Sequence, residues 1–118
     1  MSNYNTKIYE SNERKEISDS INFFGDILDL GCASGSFLKS LINKFKIKSA
    51  VGLDLYLDKY RLHKDPKISY IKSDILELKI KKKFDFITLL DCLEHTNDHL
   101  LVLEFLKKKL KPNGKIVI

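Results

Sequence analysis

Carboxylates next to short apolar stretches are the residues of this sequence best placed to do chemistry. Asp29 lies within the apolar run Ile27–Leu30, which leads directly into the small-residue turn Gly31–Gly35. Asp54 and Asp74 each follow a later β-compatible stretch. Small residues let a ligand approach the backbone, and an acid at the mouth of the turn favours a ligand with a cationic end and repels a pyrophosphate. The sequence therefore predicts a ligand site at this turn.

The turn lies between a predicted strand and a predicted helix. The apolar residues before it predict a buried strand over Asp26–Leu30. Those after it recur at helical spacing and predict a helix over Ser36–Phe45; they are Phe37, Leu38, Leu41, Ile42 and Phe45. A helix that begins directly after a turn presents unpaired N–H groups to the same ligand.

Strands and helices alternate along the rest of the chain, which predicts an α/β fold. A helix over Asn12–Phe24 is expected to end at Gly25, and a short helix over Leu57–Lys64 is expected to end before Pro66. The other predicted elements are the strands Ser49–Leu53, Lys67–Lys72, Phe84–Leu90 and Lys115–Ile118, the helix Asn97–Lys109 and the turn Leu110–Gly114. We expect the carboxyl ends of these strands to meet at one edge of a sheet.

The segment Asp29–Gly35 resembles motif I of the class I S-adenosylmethionine-dependent methyltransferases, acid-x-Gly-x-Gly-x-Gly. Ala33 replaces the middle glycine, and its single methyl group can be tolerated if the backbone there has a negative φ. The competing dinucleotide fingerprint requires glycines at 31, 33 and 36, of which only Gly31 is present. The methyltransferase resemblance is therefore the stronger one.

Further segments resemble the same family in the same order. Asp54 matches the acid that ends the second strand, and Ser73–Ile75 is similar to the motif III region. Asp91–His95 resembles the family's Asp-x-x-Glu-His segment, and Leu110–Gly114 resembles its Leu-Lys-Pro-Gly-Gly turn, with Asn113 in place of a glycine. Asparagine is the next best residue for a positive φ.

The resemblance implies a Rossmann-like, doubly wound, mainly parallel sheet with strand order 3-2-1-4-5. The family's sheet continues as 3-2-1-4-5-7-6, so we expect this one to be truncated after strand 5. We predict one domain over residues 1–118, with a helical segment at residues 1–25 and the Rossmann-like core at residues 26–118. Strand 5 would then be an exposed edge, through which the chain could form a homo-oligomer.

The resemblance also implies a function and a cofactor. It predicts an S-adenosylmethionine-dependent methyltransferase, similar to the small-molecule branch often called type 11, acting on an O, N or C acceptor. Asp54 would bind the ribose hydroxyls, Leu55 would lie against the adenine, Asp74 would accept from the adenine amino group, and Ile75 would pack on the ring. The predicted cofactor-binding residues are Asp29, Gly31, Cys32, Ala33, Gly35, Asp54, Leu55, Asp74, Ile75, Leu90 and Asp91.

His95 is the candidate catalytic base, because it follows strand 4 beside the expected methyl position and has a near-neutral ordinary pKa. An equally simple interpretation is that His95 braces the start of the next helix. Metal binding is not favoured, since the His95–His99 pair has no local cysteine partner. We therefore predict no metal site.

Composition limits the class of protein. The chain has 118 residues, a net charge of +5 and two cysteines, and no apolar run approaches the length of a membrane span. These features predict a reduced, cytoplasmic setting without a membrane partner. Lysines cluster at Lys79–Lys83 and Lys107–Lys111, but no aromatic residues interleave them, so a nucleic-acid partner is disfavoured.

Two alternatives to a small-molecule enzyme stay open at this point. The chain could be a non-catalytic S-adenosylmethionine-binding or structural remnant, because the family's last strands are not found in it. It could also be an RNA methyltransferase, which only the lysine content supports.

Overall fold

The computed structural model describes residues 17–90 and 99–118. Its strands are β1 (Phe24–Leu30), β2 (Lys46–Leu53), β3 (Ile68–Ile71), β4 (Phe84–Thr88) and β5 (Leu110–Val117), and its helices are α1 (Ser36–Lys44) and α2 (His99–Lys107). Two short 3₁₀ turns, Leu57–Lys59 and Ile75–Glu77, lie in the connections. All four strand pairings are parallel, and the order is β3-β2-β1-β4-β5, which confirms the predicted topology.

Strand β1 is the centre of the sheet, and both of its faces are covered. Ile27 faces a cluster that includes Phe37 and Leu41 of α1, whereas Leu28 faces a cluster that includes Val102 and Leu106 of α2. Residues 27–30 are all buried. A strand that is covered on both faces has a continuous apolar sequence. The burial of β1 also fixes the position of the turn that follows it.

The predicted helix Asn12–Phe24 is wrong at its carboxyl end. Residues 17–20 are helical, the residues before 17 lie outside the described part, and Phe24 already belongs to β1. Gly25 is not a helix stop. It has φ +75 at a register shift between β1 and β2, and a Cβ there would lie 2.1 Å from Asp85 Oδ2. The strand therefore begins earlier than predicted, with an irregularity that needs glycine.

Other predicted boundaries also differ, among them the start of β2, which is Lys46 and not Ser49. The predicted helix Leu57–Lys64 is only the 3₁₀ turn Leu57–Lys59. Strand β4 ends at Thr88, so Leu90 follows the strand, and β5 begins at Leu110, so the predicted turn Leu110–Gly114 is absorbed into it. Asn113 has φ +67, as expected for a residue in a glycine position. Pairing between β4 and β5 shifts register beside it, between Phe84 and Phe86.

Opposite the predicted ligand site, the amino ends of four strands share a buried ionic network, here called the amino-edge network. Asp26 Oδ1 accepts from Ser49 Oγ at 2.5 Å and lies 3.3 Å from Lys82 Nζ. Asp26 Oδ2 accepts from Lys111 Nζ at 2.8 Å, and Lys111 also donates to Asp85 Oδ2 at 3.0 Å. Burial opposes ionisation, but hydrogen bonds from Lys111, Ser49 and Lys82 outweigh it and lower the pKa of Asp26 to about 2.

Lysines continue along this amino edge. They are exposed, they begin or directly precede β2, β4 and β5, and they are Lys46, Lys48, Lys81, Lys83 and Lys108, here called the amino-edge lysines. The acids of the predicted ligand site follow the opposite ends of the strands.

Over residues 17–90 and 99–118, the helices are all too short or too polar to span a bilayer.

Candidate functional site

The turn after β1 is built from alternating left-handed residues. Gly31 has φ +74, Ala33 has φ +51 and Gly35 has φ +84. The condition of a negative φ is therefore not met at Ala33, and the alanine occupies a conformation that side chains rarely adopt. The consequence is a tightly wound loop, Gly31–Gly35, here called the glycine loop, which leads directly into α1.

Backbone N–H groups of the glycine loop bond to the protein itself. Gly31 and Cys32 both donate to Leu53 O, at 2.7 Å and 3.0 Å, and Gly35 donates to Cys32 O at 2.9 Å. Ala33 donates to Asp54 Oδ2 at 3.0 Å. A loop that binds a pyrophosphate presents such N–H groups to the ligand. In this loop the four N–H groups already donate to acceptors of the protein. The loop therefore favours a ligand that carries hydrogen-bond donors over an anion.

Asp54 follows β2 and is 9% exposed. Its Oδ2 accepts from Ala33 N, and its Oδ1 accepts from Tyr56 N at 2.8 Å. Each carboxylate oxygen can accept a second hydrogen bond, so both retain capacity for hydroxyl donors. Leu55, beside it, is 46% exposed and offers an apolar surface next to these oxygens.

Asp29 lies below the loop and not at its mouth. It is 1% exposed, and its Oδ1 accepts from Thr88 Oγ1 of β4 at 2.6 Å. This differs from the sequence interpretation, which placed the carboxylate at the entrance. The reason is that Asp29 is still a strand residue with a polar partner on the neighbouring strand.

Asp74 and Ile75 stand on the third strand connection, after β3. Asp74 is exposed, precedes the 3₁₀ turn and makes no side-chain cap bond to it. Ile75 is 7% exposed and packs with Leu78 in the core cluster that faces α2. Asp74 is therefore open to a ligand, whereas most of the Ile75 side chain is already used in the core.

Other predicted site residues fall after β4. Leu90 is partly buried and packs against the cluster that includes Phe37. Asp91 and His95 lie outside the described residues, so the cofactor contact of the one and the catalytic role of the other stay predictions.

A family model described as a methyltransferase domain matches residues 9–118. The chain belongs to this family. Curated relatives of this methyltransferase domain include the ubiquinone biosynthesis O-methyltransferase of Rickettsia bellii (strain OSU 85-389), 30% identical over 97 residues, which are 79% of this chain and 40% of that protein. Another is the malonyl-[acyl-carrier protein] O-methyltransferase of Priestia megaterium (strain DSM 319 / IMG 1521), 30% identical over 105 residues, which are 83% of this chain and 38% of that protein.

Solved structures share the fold of the domain. The N-methyltransferase NodS from Bradyrhizobium japonicum WM9, in complex with S-adenosyl-L-homocysteine, has a TM-score of 0.71 at 20% identity, with 97% of this chain and 61% of that chain covered. The methyltransferase domain thus spans about 40% of the length of the two curated relatives.

Cys32 of this domain has no sign of reactivity. It is 2% exposed, and burial, with the nearby charges of Asp29 and Asp54, raises the pKa of its thiol to about 12. A neutral thiol is a poor nucleophile and a poor metal ligand. Within the described residues, no group of three or more His, Cys, Asp or Glu side chains could hold a metal ion.

Sequence reasoning missed two residues that shape the domain's site. Thr88 bonds to Asp29, and its only signal is a polar residue inside the apolar stretch of β4. Tyr70 of β3 packs against the glycine loop, where a Cβ at Gly35 would lie 2.1 Å from its hydroxyl oxygen. Nothing local in the sequence indicates that contact, because the two residues are 35 positions apart.

Proposed function

We propose that this domain binds S-adenosylmethionine over the carboxyl ends of β1 and β2 and transfers its methyl group to an O, N or C atom of a small-molecule acceptor. The position of Asp54 carries the proposal. Two backbone N–H groups fix its carboxylate at the end of β2, and both oxygens keep capacity for the two ribose hydroxyls.

The charges and donors of the site fit this cofactor. Its sulfonium and ammonium groups are cationic, and the site offers the carboxylates of Asp54 and Asp74 beside a loop in which four N–H groups are engaged within the protein. Leu55 offers an exposed apolar surface to the adenine, and Asp74 an acceptor to its amino group. A pyrophosphate-containing dinucleotide would meet carboxylates where it needs donors.

The chain's own part in the reaction is mainly alignment. S-adenosylmethionine supplies an already activated methyl group, so rate depends largely on how the acceptor and the cofactor are oriented. Asp54 and the glycine loop would fix the ribose and the methionine end, while Leu55 and Asp74 would fix the adenine. We propose His95 as the base for an acceptor that must lose a proton.

The named relatives support an oxygen or nitrogen atom as the acceptor. Two are named O-methyltransferases, and the solved one is named an N-methyltransferase. The amino-edge lysines give no support to an RNA acceptor, because they lie at the opposite edge of the sheet from the glycine loop. A non-catalytic remnant would bind the cofactor and turn over no acceptor.

Thermal unfolding with ligands tests the cofactor proposal. S-adenosylhomocysteine at about a hundred times its Kd should stabilise the protein by about 2.7 kcal/mol, because a ligand selective for the folded state shifts unfolding by mass action. For a domain of this size that is a rise in Tm of roughly ten degrees. NAD at the same concentration serves as the control. Stabilisation by NAD with none by S-adenosylhomocysteine would overturn the proposal.

A pair of aspartate variants tests the site. Asp54→Ala should weaken S-adenosylhomocysteine binding by more than about tenfold, because a charged acceptor of several hydrogen bonds is removed. Asp58→Ala is the matched control, since Asp58 is four residues away, exposed, and paired only with Lys72 at 2.6 Å in the described residues. Titration calorimetry measures both. Equal affinities for the two variants would remove Asp54 from the site.

A further inference from the structure

The connection between β2 and β3 closes over the glycine loop. Residues 60–66 of this connection, here called the strap, follow the 3₁₀ turn, form no helix or strand, and return toward the start of α1. His63 N donates to Ser34 O at 2.8 Å, so the strap is bonded to the backbone of the loop itself. Asp65 Oδ2 also accepts from Lys39 Nζ of α1 at 2.7 Å, which ties the far end of the strap to the helix.

Tyr70 lies where the strap, the loop and the sheet meet. Its hydroxyl donates to His63 O at 2.5 Å and lies 3.5 Å from Ser34 O. Its ring fills the space beside two glycines: a Cβ at Gly35 would lie 2.1 Å from the hydroxyl oxygen, and one at Gly52 would lie 3.1 Å from the ring. Tyr70 therefore leaves no room for a side chain at Gly35, and at Gly52 it acts together with Cys32, whose Sγ would lie 2.8 Å from that Cβ.

Ser34 is thus held from two directions. Its carbonyl accepts from the strap, and the strap's own carbonyl at His63 accepts from Tyr70. On the other side of the loop, Asp54 holds Ala33 N at 3.0 Å. The loop contains left-handed residues at 31, 33 and 35, a backbone shape that needs such outside support to persist.

We infer that Tyr70 is a positioning residue: through its hydroxyl it holds the strap against Ser34 and so fixes the glycine loop in the shape that receives the cofactor. Tyr70 itself is partly buried and acts through the loop's backbone. The hydrogen bonds from Tyr70 to His63 and from His63 to Ser34 are here called the clamp. The inference rests on the proposed function for the identity of the ligand, but the clamp is a property of the ligand-free protein.

Tyr70→Phe removes the hydroxyl and keeps the ring. Amide hydrogen exchange on the ligand-free protein should then be about tenfold faster at His63, which donates to Ser34 O, and at Gly35, which donates to Cys32 O within the loop. It should be unchanged at Leu28 and Ile87 in the sheet. Tyr60→Phe is the matched control, because Tyr60 is 41% exposed and lies at the start of the same strap. A role in overall stability alone would accelerate exchange in the sheet as well, and that result overturns the inference.

Binding gives the second measurement. Tyr70→Phe should weaken S-adenosylhomocysteine by about fivefold to tenfold, the effect of one hydrogen bond, while Tyr60→Phe leaves the Kd unchanged. Asp65→Asn, which loosens the strap at Lys39, should shift both measurements in the same direction by a smaller factor. Faster exchange at His63 and Gly35 with an unchanged Kd would overturn the positioning role.

The proposed function and the clamp can be tested independently of each other. If the wild-type protein does not bind S-adenosylhomocysteine, the proposed function is wrong, while the exchange rates at His63 and Gly35 still test the clamp. If the wild-type protein binds and exchange at these amides is the same in Tyr70→Phe, the clamp is wrong and the proposed function stands.

Discussion

Ala33 stands in a backbone conformation that disfavours its own side chain. Its φ is +51, and an L-residue with a Cβ in the left-handed region costs roughly 1–2 kcal/mol. The loop holds it there because Ala33 N donates to Asp54 Oδ2 and its neighbours Gly31 and Gly35 are left-handed as well. The single methyl group of Ala33 therefore strains the loop.

Ala33→Gly should accordingly stabilise the protein. Glycine relieves the strain but adds about 0.5–1 kcal/mol of unfolded-state entropy, so we expect a net gain of about 0.5–1 kcal/mol in the free energy of unfolding. Urea denaturation measures it. The matched control is Ala50→Gly in β2, where the buried methyl is lost from an extended strand and stability should fall. Equal losses at both positions would contradict the strain at Ala33.

Some residues of the site could be predicted from the sequence, because their signals are local. Asp29, Asp54 and the glycine loop follow apolar stretches at short range, and the structure places these stretches side by side in β1 and β2. Thr88 and Tyr70 could not be predicted, since their roles depend on contacts 59 and 36 positions away, respectively.

The contrast between local signals and distant contacts also explains which helices and strands were predicted wrongly. The strand order was predictable from the alternation of apolar stretches and the family resemblance, but the helix expected over Leu57–Lys64 forms only one 3₁₀ turn. His63 bonds instead to Ser34 and Tyr70, and Asp65 bonds to Lys39. Tertiary contacts of this kind override a weak helical preference.

The amino-edge network joins β1, β2, β4 and β5 through one carboxylate. Asp26 has a pKa of about 2 in the folded protein against an ordinary value of 3.8. When folding lowers the pKa of a carboxyl group, the group contributes its full stabilisation at a pH above its pKa in the unfolded chain. That contribution is lost as the pH falls through its pKa in the folded protein. The difference corresponds to roughly 2 kcal/mol near neutral pH.

Asp26→Asn should therefore lower the free energy of unfolding by about 2 kcal/mol at neutral pH, and the difference from wild type should shrink between about pH 4 and pH 2. Urea denaturation across this range measures it. The control is Asp58→Asn, because Asp58 and Lys72 form an exposed pair that contributes little. A deficit in Asp26→Asn that does not change with pH would assign the loss to packing and not to charge.

Strand β5 is an edge strand of the sheet formed by the described residues. It pairs with β4 on one side, and its last residues, Ile116 to Ile118, are apolar. An exposed apolar edge presents unpaired N–H and C=O groups to other strands. We therefore expect the 118-residue chain, studied by itself, to self-associate through β5.

Light scattering after size-exclusion chromatography checks this expectation. Ile118→Lys places a charge at the end of the edge, at a side chain that is 63% exposed, and should shift the chain toward monomer. Leu100→Lys, at a side chain of α2 that is 70% exposed, is the control and should leave the distribution unchanged. A wild-type chain that stays monomeric at high concentration would contradict the role of the β5 edge.

The amino-edge lysines lie at the other edge of the sheet from Asp54 and Asp74, the two acids that follow β2 and β3. A cationic ligand that reaches the glycine loop therefore meets none of these five lysines there, although the chain carries a net charge of +5. The attraction between such a ligand and the carboxylates of Asp54 and Asp74 should weaken as added salt screens the charges.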